Sequence, residues 1–151
     1  MTEGSRHGGV SIRPARPDDY PRIVELWRES GLSVRLQGRE SESAFSRQVE
    51  RFGELYLVAT DGDRIVGVIF GSHDGRKGWI NRLAVLPDHR RSGLASRLVA
   101  ACEIALAADG IEIIAALIEP ENAASCNLFE RLGYRNDVPV RYYRKLARPD
   151  I

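Results

Sequence analysis

The chain has 151 residues and a formal net charge of +1, from 22 basic and 21 acidic side chains. That length suits a single domain with one core over residues 10–151, after a polar, glycine-rich segment at 1–9 that reads as disordered. The balanced charge argues against nucleic acid or an anionic membrane surface as a bulk partner. No apolar run approaches the ~20 residues that span a bilayer, and residues 1–9 lack the apolar stretch of a secretion signal, so a cytoplasmic protein is expected.

Residues 10–15 alternate apolar and polar side chains and read as a first strand. Pro17-Asp18-Asp19 then opens a helix whose first-turn acids face the positive end of the dipole. Tyr20, Ile23, Val24 and Trp27 form its apolar face, and Gly31 marks its end. A second helix is expected over 40–49, with Ala44, Phe45 and Val49 on its buried side. The irregular stretch 31–39 between them carries Arg35 and Arg39. Residues 55–60 and 64–70 make the clearest hairpin, joined by Asp61-Gly62-Asp63. In the next turn His73 stands beside Asp74, either as a solvated loop pair or as a base held by a carboxylate. No His, Cys, Asp or Glu cluster has metal-ligand spacing, so no metal site is expected, and Cys102 and Cys126 read as free thiols.

The most informative stretch is 81–98. It starts as an apolar, strand-like run and stops at Pro87, which cannot donate to a sheet ladder. Arg90 and Arg91 follow, then Ser92-Gly93-Leu94-Ala95, then a helix with apolar residues at Leu94, Leu98, Ala101, Cys102, Ala105 and Leu106. A helix start offers unpaired N–H groups and a positive dipole end, and Gly93 lets an anion come close to the backbone. The stretch therefore reads as a seat for phosphate or pyrophosphate. The plainer alternative makes Ser92 an N-cap beside two surface arginines. Neither a P-loop nor the G-x-G-x-x-G dinucleotide spacing is present. Asp109-Gly110 ends this helix, and the nearly continuous apolar run 111–118 reads as a parallel strand buried on both faces. Pro120-Glu121-Asn122 starts a last helix that buries Leu128, Phe129 and Leu132 and stops at Gly133. Residues 134–135 and 140–146 are expected to close the sheet as a hairpin. Trp27, Leu57, Val68, Leu83, Leu98, Ile113 and Leu128 are expected in the core.

Arg90-Arg91-Ser92-Gly93-Leu94-Ala95 resembles the R/Q-x-x-G-x-G/A signature of the GCN5-related N-acetyltransferases, and Leu83-Ala84-Val85 before it resembles their central strand. Asn122-Ala123-Ala124 through Leu128-Phe129-Glu130-Arg131-Leu132-Gly133-Tyr134 is similar to a second block of that family, N-x-x-A followed by Y-E-x-L-G-F/Y. Two motifs in the right order span nearly the whole chain, and within the family the chain looks most like small bacterial ribosomal-protein N-terminal acetyltransferases and their relatives. The resemblance implies an α/β (α+β) fold, a mixed sheet of about seven strands with four helices in the order β-α-α-β-β-β-α-β-α-β-β. It implies acetyl-CoA as cosubstrate, a small-molecule or peptide amine as acceptor, and a monomer or homodimer.

By the same resemblance, the strands flanking the central helix splay apart and the pantetheine arm of the cofactor pairs with freed backbone near Leu83, Ala84 and Val85. The pyrophosphate would rest on the N–H groups of Arg91, Ser92, Gly93, Leu94, Ala95 and Ser96 with Arg90 beside them. Asn122 would reach the pantetheine arm, Phe129 would lie beside the thioester sulfur, and Arg35 and Arg39 would rim the acceptor entrance. Asn122 serves equally well as the N-cap of the last helix. The family's usual general acid, a tyrosine, is replaced by Phe129, and the glutamate base of the ribosomal-protein enzymes by Leu117. Glu119, Tyr142 and Tyr143 are the substitutes the sequence offers. Two functions follow: an active N-acetyltransferase, or a catalytically weak CoA-binding sensor or partner module motivated by the missing acid and base.

Overall fold

The computed structural model describes residues 9–151; the 1–9 segment expected to be disordered lies outside them except for Gly9. The elements follow in the order β1 (Ser11–Pro14), α1 (Tyr20–Glu29), α2 (Glu42–Phe52), β2 (Tyr56–Asp61), β3 (Arg64–His73), β4 (Gly78–Val85), α3 (Leu94–Ala108), β5 (Ile114–Ala116) and α4 (Ala123–Arg131). One sheet carries the strands in sequence order, antiparallel from β1 to β4 and parallel between β4 and β5.

Local chemistry sets the helix starts. Asp19 accepts from the Arg16 N–H at 2.8 Å and takes a two-pronged pair from Arg13 at 2.8 and 2.9 Å, which ties the start of α1 to β1. Ser41 caps α2, its hydroxyl accepting from the Ala44 N–H. Successive strand residues face opposite sides of a sheet, and β3 shows both. Phe70 packs with Trp27 of α1, Phe45 of α2 and Tyr56 of β2, the Tyr56 and Phe70 rings lying stacked at 4.0 Å. Its neighbour Gly71 faces α3 instead.

Helix α3 lies in a trough of glycines. A Cβ on Gly67 would come within 2.9 Å of Leu98, one on Gly71 within 2.5 Å of the Cys102 sulfur, and one on Gly78 within 3.1 Å of Leu106. These contacts fall at every fourth residue of α3, along one ridge of the helix. Close approach, rather than an unusual backbone angle, is what glycine supplies at these sites.

The expected element order holds through α4, but among the described residues the sheet has five strands, not about seven. Residues 134–147 form no hairpin, and Val138, Val140, Tyr142, Tyr143 and Leu146 are exposed. Adjacent Tyr142 and Tyr143 break the two-residue period, and the only neighbour on that side, β5, is three residues long. Strand β5 is correspondingly shorter than the apolar run 111–118 suggested. Ile113 is 59% exposed rather than core, because nothing covers the sheet beyond β5. Leu83 is half-buried, whereas Trp27, Leu57, Val68, Leu98 and Leu128 are buried as expected.

Candidate active site

Strands β4 and β5 pair only at Gly78–Ile114, Trp79–Ala115 and Ile80–Ala116. Beyond that they part, and β4 runs on from Asn81 to Val85 with a neighbour on the β3 side alone. Its other edge therefore presents N–H and C=O groups to the gap. Opposite Ile69 of β3, β4 carries two residues, Arg82 and Leu83, and Arg82 has φ 56°. This is a β-bulge with a non-glycine residue in the left-handed region, a conformation that needs support from its surroundings.

The gap opens into a cleft of about 480 Å³. Leu83, Ala84 and Val85 form its floor, the run from Arg90 to Ser96 except Ser92 closes one end, and Asn122, Ser125 and Leu128 of α4 form a wall. At the basic end Gly93 sits at φ 77° as the cap residue of α3. The Arg97 N–H bonds the Gly93 carbonyl at 3.1 Å, so the N–H groups of Leu94, Ala95 and Ser96 have no partner among the described residues. His89 holds the turn: one ring nitrogen meets Asp88 at 2.8 Å and the other Asp61 at 3.0 Å. Those two carboxylates raise its pKa above the ordinary histidine value and favour the imidazolium. Arg90 Nε donates to the Val85 carbonyl at 3.2 Å, and the Ser92 hydroxyl to the His89 carbonyl.

A family profile described as the acetyltransferase (GNAT) family matches residues 20–134. The chain belongs to that family. As a member it is an N-acetyltransferase with acetyl-CoA as its cosubstrate. Acetyltransferase SG1711 of Sodalis glossinidius is 31% identical over 125 residues, covering 83% of this chain and 87% of that one. The fold is shared with the PaiA N-acetyltransferase of Thermoplasma acidophilum in complex with coenzyme A (TM-score 0.75, 17% identity, 84% of this chain and 90% of that one). It is also shared with the diaminobutyrate acetyltransferase EctA of Paenibacillus lautus in complex with L-2,4-diaminobutyric acid and coenzyme A (TM-score 0.65, 24% identity, 82% and 74%).

In this acetyltransferase, Leu83, Ala84, Val85, Arg90, Arg91, Gly93, Leu94, Ala95, Ser96 and Asn122 all border one cleft. Ser92 is beside it, its hydroxyl turned back on the His89 carbonyl. Asn122 is the N-cap of α4, Oδ1 accepting from the Ser125 N–H at 3.1 Å, and still faces the cleft. The substitutes for the missing acid and base are not brought in. Tyr142 and Tyr143 are 70% and 84% exposed, since no strand forms to carry them to the site. Glu119 is exposed and contributes only its carbonyl, to the Asn122 N–H and the Cys126 thiol. Phe129 does not border the cleft; its ring meets Tyr134 edge-on at 4.9 Å. Helix geometry turns it about 100° from Leu128, which takes the wall position instead. Sequence reasoning missed Arg82, Glu40 and Ser33, which meet from positions far apart in the chain, next to the cleft residues Leu32 and Leu83. Nothing in their local pattern announces them.

Proposed function

We propose that residues 10–151 act as one domain that moves the acetyl group of acetyl-CoA directly to a primary amine of a small molecule or of a peptide or protein N-terminus. The parting of β4 from β5 above an open helix N-terminus is the observation that supports this most. The pantetheine amides pair along the free edge at Leu83 and Val85, as an added strand would. Arg90 swings off the Val85 carbonyl to allow that pairing, which frees its guanidinium for the pyrophosphate on the Leu94–Ser96 N–H groups. Asn122 keeps its NH₂ for the pantetheine arm while its oxygen caps α4.

The amine nitrogen attacks the thioester carbon, the C–N bond forms, the C–S bond breaks, and the ammonium proton passes to solvent. Backbone N–H groups at the bulge face the developing oxyanion. Among the described residues no carboxylate, tyrosine or cysteine lines the cleft, and His89 has both ring nitrogens engaged. That chemistry suits a weakly basic amine. An α-amine of pKa near 8 is partly neutral at pH 7, a lysine near 10.4 hardly so, and a thiolate of pKa about 8.5 leaves unaided. No observation favours the alternative of a CoA-binding sensor. Among the described residues no helix is long and apolar enough to cross a membrane; cytoplasmic location and a monomer or homodimer belong to the proposed reading. Free-thiol release from acetyl-CoA across a panel of amines and peptides tests it. Release at the buffer rate throughout, with the cofactor bound, would leave only a binding module.

A further inference from the structure

Taking acetyl transfer as the reaction, we propose that the acceptor carries a carboxylate close to its amine, as a free amino acid does, and that Arg82 is the group that selects it. Arg82 does not itself line the cleft, but it sits on the β4 bulge next to Leu83, three residues before the strand's last residue, and bonds Ser33 next to Leu32. Leu83 and Leu32 both border the cleft. Its guanidinium lies 4.3 Å above the Trp27 ring, with its side chain 22% exposed. Of its five N–H donors only one has a hydrogen-bond acceptor among the described residues, the Ser33 carbonyl at 3.0 Å. Glu40 stands off at 3.4 Å from Nη1, and the buried Nε has no partner among the described residues. The Trp27 indole N–H beneath is also buried and without a partner among those residues. Buried donors in native proteins are nearly always paired, and a guanidinium fork matches a carboxylate. This cluster has more donors than acceptors.

Charge points the same way. Burial lowers the pKa of Arg82 from its ordinary value, Glu40 raises it, and nearby Arg39 lowers it again. The Glu40 carboxylate is already engaged, one oxygen taking the Arg35 N–H at 2.7 Å and the other facing Arg82. The side chains of Arg35 and Arg39 stand exposed on the same loop. The charged residues along the cleft itself are His89, Arg90, Arg91 and Arg131, with no acid among those described. A polyamine or polycationic aminosugar would meet like charge here and find no free carboxylate. An anionic group beside the amine would be drawn to Arg82 and would leave the amine facing the thioester.

The test pairs each amino acid with its own primary amide and adds spermidine as a polycation, with free-thiol release as the readout. The amide's amine is the more nearly neutral, so amine chemistry alone favours the amide. The proposal requires the acid to win by about tenfold or more in kcat/KM, the scale of one charge-assisted contact. Calorimetry gives a second readout that needs no turnover: N-acetyl amino acids against N-acetyl amino-acid amides, with and without CoA bound. Arg82→Gln should bring acid and amide within about threefold while CoA affinity holds, and Arg82→Lys should keep part of the preference. Because Arg82 also fastens the loop, Glu40→Gln is the companion variant. It leaves an acceptor for the Arg35 N–H, removes the competing charge, and should hold or raise the acid's affinity. Amides or spermidine equal to or better than the acids, or a preference untouched by Arg82→Gln, would overturn the proposal. Carboxylate-selective binding that depends on Arg82 but comes without thiol release would keep it and sink the transfer reading instead.

Discussion

At its basic end the cleft is made by the run from His89 to Ser96 without Ser92, whereas next to its residues Leu32 and Leu83 the side chains of Trp27, Glu40 and Arg82 and the Ser33 carbonyl come together from three separate parts of the chain. The first is a backbone site, in which the N–H groups of a helix start stand unpartnered among the described residues and glycine keeps them accessible. The second is a side-chain site, held by one loose ion pair, one hydrogen bond and a ring face. A backbone site constrains its residue types narrowly, and a side-chain site admits many solutions. On the proposed reading, recognition of a common cofactor and choice of an individual acceptor are divided between the two accordingly.

Perturbing the helix that carries the basic end should have the largest effect. Leu98 is fully buried between α3 and the sheet, and Leu98→Ala should cost roughly 2–5 kcal/mol in denaturant unfolding. A cost well under 1 kcal/mol would mean that the seat does not depend on the packing of α3. Next comes Gly93→Val. A β-branched residue is strained at φ 77°, and its side chain would project into the open space an anion needs. Acetyl-CoA affinity should fall by about a hundredfold by calorimetry, with carboxylate recognition at Arg82 retained. Unchanged affinity in a folded variant would remove the pyrophosphate from this turn. Arg90→Ala should cost less, about tenfold or below, because it removes one partly solvated contact.

The sequence disclosed these two sites unequally for a physical reason. Strand, proline, basic turn and helix follow one another from Leu83 to Leu98, so their geometry is written in local spacing. Glu40 and Arg82 are forty-two positions apart in the numbering and meet only because the loop after α1 folds over the β4 bulge. The bulge itself left no glycine to mark it, since Arg82 takes the left-handed angle. The C-terminal hairpin failed for the opposite reason. Residues 134–146 had turn and strand composition, yet strand propensity is realised only against a partner, and β5 offers three residues. The same error put Tyr142 and Tyr143 among the catalytic candidates.

Two smaller effects refine the contrast. The folded His89 pKa lies above its unfolded value near 6.5, so its stabilising contribution is complete below that pH and declines as pH rises through the folded pKa. Chemical-denaturant stability should therefore lose a small increment across that window, and His89→Gln should flatten it. An identical pH profile in the variant would mean the two carboxylates do not hold the turn through charge. Tyr143→Phe should change turnover by less than about twofold, because this side chain is 84% exposed and does not line the cleft. A tenfold loss with cofactor affinity intact would bring the C-terminal segment back to the reacting atoms.

The glycine trough gives α3 a mechanical role. With Leu98, Cys102 and Leu106 each seated against a residue without a side chain, the helix cannot slide or tilt without striking the sheet. Its N–H groups at Leu94 to Ser96 are thus set at a fixed height above β4 by residues on the far side of the strands from the aromatic cluster. A single methyl added at Gly71 would act as a wedge under the middle of a fifteen-residue lever. Its displacement would be read where the lever ends, at the anion seat, in a cofactor that never touches Gly71.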